Sequence, residues 1–150
     1  MKPLLDSYYI QNDSGFVEAK LPDYFENASV VIANDFDKDG DLDVFIGSNA
    51  VSNDFGNIPN SYILKNDHGN FSILENKSLQ KAGMITDAIW DDYNKDGATD
   101  LIVIGEWMAP KFFKNENGTF LPHFDPHPTL QYIQQNHYYY TIESKYNIYI

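Results

Sequence analysis

Apolar residues in this chain come in short runs rich in β-branched side chains, each bounded by polar turn formers. Val30–Ala33 and Leu42–Ile46 flank one polar stretch; Ile85–Trp90 and Leu101–Ile104 flank another. Such runs predict strands. Two further segments read as strand, Asn/Gly turn, strand: Ser61-Tyr62-Ile63-Leu64-Lys65-Asn66-Asp67-His68-Gly69-Asn70-Phe71 and Lys111-Phe112-Phe113-Lys114-Asn115-Glu116-Asn117-Gly118-Thr119-Phe120. This is hairpin grammar. A third copy lies at Tyr8-Tyr9-Ile10-Gln11-Asn12-Asp13-Ser14-Gly15-Phe16.

Each unit therefore runs strand, polar loop, strand, hairpin strand, hairpin strand. Four strands in roughly 40–50 residues is the pattern of a β-propeller blade. The fold class expected is all-β, with four-stranded antiparallel blades. Residues 5–21 supply the outer half of a preceding blade, 28–75 one blade, 83–122 another, and 123–150 a divergent Pro/Tyr-rich tail. About two and a half blades result, whereas a closed ring takes at least about four. A piece of a longer chain, or open ends covered by something else, is the expectation. Within the tail, Tyr138–Ile142 and Tyr146–Ile150 have the β-propensity of two hairpin strands, and Pro122–Pro128 reads as a linker.

The loops between the paired strands carry the chemistry. Asp35-Phe36-Asp37-Lys38-Asp39-Gly40-Asp41-Leu42-Asp43 and Asp92-Tyr93-Asn94-Lys95-Asp96-Gly97-Ala98-Thr99-Asp100 both read D-x-[DN]-x-D-G-x-x-D. Turn preference alone explains scattered Asp, Asn and Gly; it does not explain one nine-residue phrase written twice. Ca²⁺ takes six to eight oxygen ligands at about 2.3–2.6 Å. Oxygens at loop positions 1, 3 and 5 converge as the backbone curls, glycine at position 6 permits the sharp turn, position 7 offers its carbonyl, and position 9 closes the shell. The expected ligands are Asp35, Asp37, Asp39, the Asp41 carbonyl and Asp43 in the first loop. In the second they are Asp92, Asn94, Asp96, the Ala98 carbonyl and Asp100. With an amide at position 3 and Ala98 at position 7, the second loop is expected to bind more weakly. Up to two structural Ca²⁺ ions are implied.

An EF-hand opens in the same way but needs a bidentate Glu at position 12 and flanking helices. Position 12 is Ile46 or Val103, and the flanks are strands. That reading fails.

Composition narrows the function. With 10 basic and 22 acidic residues the chain carries −12, which disfavours nucleic acid and anionic membrane surfaces. Hydrophobic residues make up 43% and aromatics 15%, too much apolar surface for a disordered acidic tail. There is no cysteine, hence no disulfide, thiolate site or Cys nucleophile. Asp6 interrupts the start before an apolar run builds, so no signal peptide is read, and no run approaches the ~20 apolar residues of a membrane-spanning helix.

The phrase Asn34–Val44 and the paired Lys-Asn…Gly…Phe hairpins resemble the FG-GAP/VCBS repeats of integrin-α-like propellers. Met84–Asp92 with Gly105-Glu106-Trp107-Met108 is closer still to bacterial VCBS-repeat proteins of the Bacteroidetes, ASPIC/UnbV-associated kind. The resemblance covers about residues 5–122. It implies calcium in the loops, propeller architecture, and an extracellular or cell-envelope setting.

Other candidates carry less. His123, Asp125 and His127 suggest zinc, but three prolines in that stretch prevent the helix that aligns close histidines, and no further ligand is near. His68 and His137 read as exposed. Trp90 and Trp107 are expected in core or interblade packing rather than stacking on glycans. The clustered acids are used as metal ligands, which leaves Asp87 and Glu106 as unassigned carboxylates and no catalytic set. Sequons at Asn12, Asn27, Asn70, Asn76 and Asn117 hardly exceed chance. The expectation is a non-catalytic module that binds a protein or glycan ligand through a complete propeller. The alternative is a scaffold segment of a secreted propeller enzyme acting on carbohydrates.

Overall fold

The computed structural model describes residues 7–23, 27–52, 54, 56–123, 141–143 and 147–149. Among the described residues the protein is all-β apart from one four-residue helix. A hairpin of β1 (Tyr8–Asn12) and β2 (Gly15–Ala19) comes first. Then follows a four-stranded antiparallel sheet of β3 (Asn27–Asn34), β4 (Asp43–Ala50), β5 (Tyr62–Asp67) and β6 (Asn70–Leu74), in spatial order β3-β4-β5-β6. Helix α1 (Lys77–Gln80) leads to a second such sheet of β7 (Met84–Asp91), β8 (Asp100–Glu106), β9 (Lys111–Glu116) and β10 (Thr119–His123), in order β7-β8-β9-β10. Sequential up-and-down pairing in each sheet is the construction of propeller blades.

Register repeats between the sheets. Val44, Phe45 and Ile46 stand opposite Leu64, Ile63 and Tyr62; Leu101, Ile102 and Val103 stand opposite Phe113, Phe112 and Lys111. Both outer hairpins close on two-residue turns, His68-Gly69 and Asn117-Gly118. Their φ values are +51° and +87°, then +55° and +84°, which makes them type I′ turns matched to strand twist.

Strand alternation sends successive side chains to opposite faces. Phe45 and Ile63 face the second sheet, while Ile46 and Leu64 face the other way with Val44, Tyr62, Phe71 and Ile73. Between the sheets, Phe45 and Ile63 meet Ile85, Leu101, Val103 and Phe113, with Phe36 and Phe120 in the same core. Trp90 lies among Phe36, Phe45 and Phe120, with ring centroids 5.9, 6.4 and 5.6 Å away, and its Nε1 donates to the Ile32 carbonyl at 3.4 Å. Interblade packing holds for Trp90. Trp107 departs from the same expectation: it is 60% exposed, at φ +55°, in the turn after β8. The apolar run ends one turn too early to bury it.

Helix α1 was not legible in the strand pattern. Asn76 caps it, accepting from Leu79 N at 3.0 Å while its own Nδ2 donates to the Phe120 carbonyl at 2.6 Å. Leu79 seals the core at 1% exposure. Strand β10 runs through Pro122 and His123, opposite Phe113 and Phe112, one residue past the expected end of the blade at 122 and into the expected linker. An edge strand tolerates the missing proline N–H. In the tail, β11 (Thr141–Glu143) and β12 (Asn147–Tyr149) pair antiparallel. They occupy part of the two expected strands; the rest of those strands, and Asp125, His127 and His137, lie outside the described residues.

Candidate metal centre

Each acidic loop joins the first two strands of its sheet, residues 35–42 between β3 and β4 and 92–99 between β7 and β8. The two loops fold alike. In the first, Asp35 turns back on its own loop: Oδ1 accepts from Asp39 N at 3.0 Å and Oδ2 from Gly40 N at 3.1 Å. In the second, Asp92 does the same for Asp96 N at 3.0 Å and Gly97 N at 2.9 Å. Asp39 Oδ1 accepts from Asp41 N at 3.0 Å, and Asp96 Oδ1 from Ala98 N at 2.9 Å. Asn94 Oδ1 also accepts from Asp96 N, at 2.8 Å. The sixth-position glycines sit at φ +98° and +89°, where a Cβ would be strained. The fourth-position lysines, Lys38 and Lys95, take left-handed φ of +61° and +60°.

Position 9 lies at the inner end of each loop. Asp43 and Asp100 are both fully buried. One oxygen of each is used by the neighbouring hairpin: Asp43 Oδ1 accepts from Asn66 N and Asp100 Oδ1 from Asn115 N, both at 2.8 Å. The other oxygen of each, Oδ2, is buried without a hydrogen-bond partner, and so is Asp37 Oδ1. Burial raises the pKa of both position-9 carboxyls. The backbone N–H of Asn66 or Asn115 opposes that rise, and charges on Asp37 and Asp39, or on Asp96 and Asp92, reinforce it. A buried oxygen without a partner, facing other carboxylates, is costly unless a cation meets it.

The first loop brings Asp35, Asp37 and Asp39 together, one carboxylate oxygen of each lying within 4.8 Å of the others. Among the described residues no such trio of acids forms in the second loop, where Asn94 supplies the position-3 oxygen as an amide. The Asp41 carboxylate turns away from the loop and accepts from His68 N at 2.9 Å. One of its carboxylate oxygens also lies within 4.8 Å of one from Asp67 and of a His68 ring nitrogen. Ala98, the matching residue, has no carboxylate to divert.

Several partners of the loops were missed by sequence reasoning. Asn66 Nδ2 donates to the Leu42 carbonyl at 3.1 Å and its Oδ1 accepts from Gly69 N at 2.8 Å; Asn115 does the same with Thr99 at 3.0 Å and Gly118 at 2.8 Å. Asn115 Nδ2 also reaches the Phe36 carbonyl in the first loop, at 3.2 Å. Lys38 Nζ donates to the Gly97 carbonyl at 2.7 Å, which ties the two loops directly. Lys65 Nζ is in contact with Asp37 Oδ2 and lies 3.8 Å from Asp39 Oδ2; Lys114 Nζ lies 3.4 Å from both Asp96 Oδ2 and Glu116 Oε1. The recurring Lys-Asn dipeptide was the available signal. Its distance from position 9 differs between the copies, which hid the link.

His68 is exposed, as expected, and bonds Asp67 Oδ1 through Nδ1 at 2.7 Å. His123 sits at the end of β10 against the Tyr93 ring, 5.8 Å between centroids. Asp87 Oδ1 accepts from Ala88 N at 2.8 Å. Among the described residues no helix is long and apolar enough to cross a membrane.

The family model of the FG-GAP-like repeat matches residues 35–103, from the first residue of the first acidic loop through the whole second loop into β8. No curated protein and no solved structure matches the chain.

Proposed function

From an FG-GAP-like repeat laid over two acidic loops, we infer that the chain is a calcium-stabilised segment of a β-propeller. Its role is to bind a protein or glycan ligand, without catalysis, as part of an exported protein with more blades. One observation carries the calcium reading: the buried, unpartnered oxygens of Asp37, Asp43 and Asp100. Among these acids a neutral donor or a cation is required, and the donor set is all oxygen, which suits Ca²⁺ rather than a softer metal.

Asp35, Asp37, Asp39, the Asp41 carbonyl and Asp43 would hold one ion, and Asp92, Asn94, Asp96, the Ala98 carbonyl and Asp100 a second. When bound, Ca²⁺ supplies positive charge and further ligand bonds, not reactivity. The chain's own residues do the rest. Backbone N–H groups of the loop orient Asp35 and Asp92, and the hairpin asparagines hold Asp43 and Asp100 in place. Strand β4 or β8 is thereby tied to the turn that precedes it. Binding of a partner by the complete propeller is inferred from the fold alone.

Calcium titration by calorimetry, paired with thermal melts in calcium and in EDTA, tests this. Sites of the extracellular kind bind at about 10⁻⁴–10⁻³ M or tighter, and a ligand that binds only the folded state raises the melting temperature. Asp39→Ala is expected to remove one site. A folded protein that binds no calcium refutes the reading.

A further inference from the structure

In both sheets the residue before the hairpin asparagine is lysine: Lys65 on β5 and Lys114 on β9. One step along the register from Val44↔Leu64, Lys65 stands beside Asp43; one step from Leu101↔Phe113, Lys114 stands beside Asp100. From there each side chain reaches over the loop. Lys65 Nζ contacts Asp37 Oδ2 and approaches Asp39 Oδ2. Lys114 Nζ is shared between Asp96 Oδ2 and Glu116 Oε1.

These ammonium groups sit on carboxylates that a divalent ion would also need. Ca²⁺ at about 2.3–2.6 Å from Asp37 and Asp39 and an ammonium in contact with the same carboxylates repel one another. One must leave. A lysine can, because its charge rides on a flexible four-carbon stem. We propose that Lys65 and Lys114 are tethered counter-ions that compete with calcium for the two loops, so that each lysine steadies its loop's acids and lowers its calcium affinity. This rests on the calcium reading above. Lys65 is the stronger competitor, since Lys114 divides its charge with Glu116.

The test is calcium titration of the full chain as wild type, Lys65→Met, Lys65→Gln, Lys65→Arg and Lys114→Met, with melts in EDTA and in excess calcium. Exposed to half-buried ion pairs are worth little individually, so removing Lys65 is expected to tighten one site by about 1.5-fold to fivefold. Lys114→Met has a smaller effect, and Lys65→Arg, which keeps the charge, stays near wild type. In EDTA the neutral variants melt below wild type; in excess calcium that deficit disappears. If Lys65→Met destroys the cooperative melt, Lys65→Gln, of similar reach, gives the affinity comparison. A folded Lys65→Met or Lys65→Gln variant that binds calcium as wild type does, or more weakly, overturns the competition and leaves the calcium reading standing. A folded wild-type chain that binds no calcium overturns both.

Discussion

Asn115 offers the sharpest test of how the two sheets are tied. Its side chain is 5% exposed and makes three hydrogen bonds: Nδ2 to the Thr99 and Phe36 carbonyls, and Oδ1 from Gly118 N. Asn66, its counterpart, makes two, to the Leu42 carbonyl and from Gly69 N. The extra bond crosses from the second sheet into the first acidic loop. Net contributions of about 0.5–1.5 kcal/mol per bond put Asn115→Ala at about 1.5–4.5 kcal/mol and Asn66→Ala at about 1–3 kcal/mol. The difference, about 1 kcal/mol, is the cross-sheet bond. Each kcal/mol shifts the melting temperature by about 2–4 °C for a chain of this size. Urea denaturation of both variants gives the comparison directly, with unchanged m-values required so that only stability has moved. If Asn66→Ala proves as destabilising as Asn115→Ala, the bond to the Phe36 carbonyl contributes nothing to tying the two sheets.

Other outcomes follow from the same geometry. A Cβ on Gly105 would lie 2.0 Å from the Met84 carbonyl oxygen, which is backbone, whereas one on Gly47 meets side-chain methyls of Val30 and Ile85 at 2.6 and 2.8 Å. Gly47→Ala should cost about 1–3 kcal/mol, as overpacking does, and Gly105→Ala clearly more; equal melts would contradict this. Trp90→Ala should cost about 3–5 kcal/mol, while Trp107→Gly, which relieves a left-handed φ in an exposed residue, should be neutral or stabilising by up to about 1 kcal/mol. The His68 pKa is raised by its bond to Asp67 and then by the charge of Asp41. Its contribution to stability is therefore full below the ordinary histidine pKa of about 6.5 and is lost as pH rises through the higher folded value. An NMR titration should place its midpoint above the ordinary value, and Asp67→Asn should bring it down; a wild-type midpoint at or below the ordinary value contradicts the contact.

What could be read along the chain was what local chemistry dictates. The nine-residue phrase determines the loop, because carboxylates at positions 1 and 5 accept its backbone N–H groups and the glycine at position 6 takes the positive φ of the turn. The Asn/Gly turns determine hairpins, because glycine takes the positive φ of a tight turn without strain. Short β-branched runs between those punctuation marks determine four strands to a unit. The tertiary structure alone decided what depends on distance in space. Asp43 and Asn66 are 23 residues apart but Asp100 and Asn115 only 15, so no fixed spacing revealed that the ninth loop position is clamped by the hairpin. The reach of Lys65 over Asp37 and of Lys38 to Gly97 depends on strand register and sheet-to-sheet packing. Trp90 and Trp107 both border apolar strands, yet only the one that falls between the sheets is enclosed. Burial belongs to the pair of sheets, which sequence periodicity within either one does not contain.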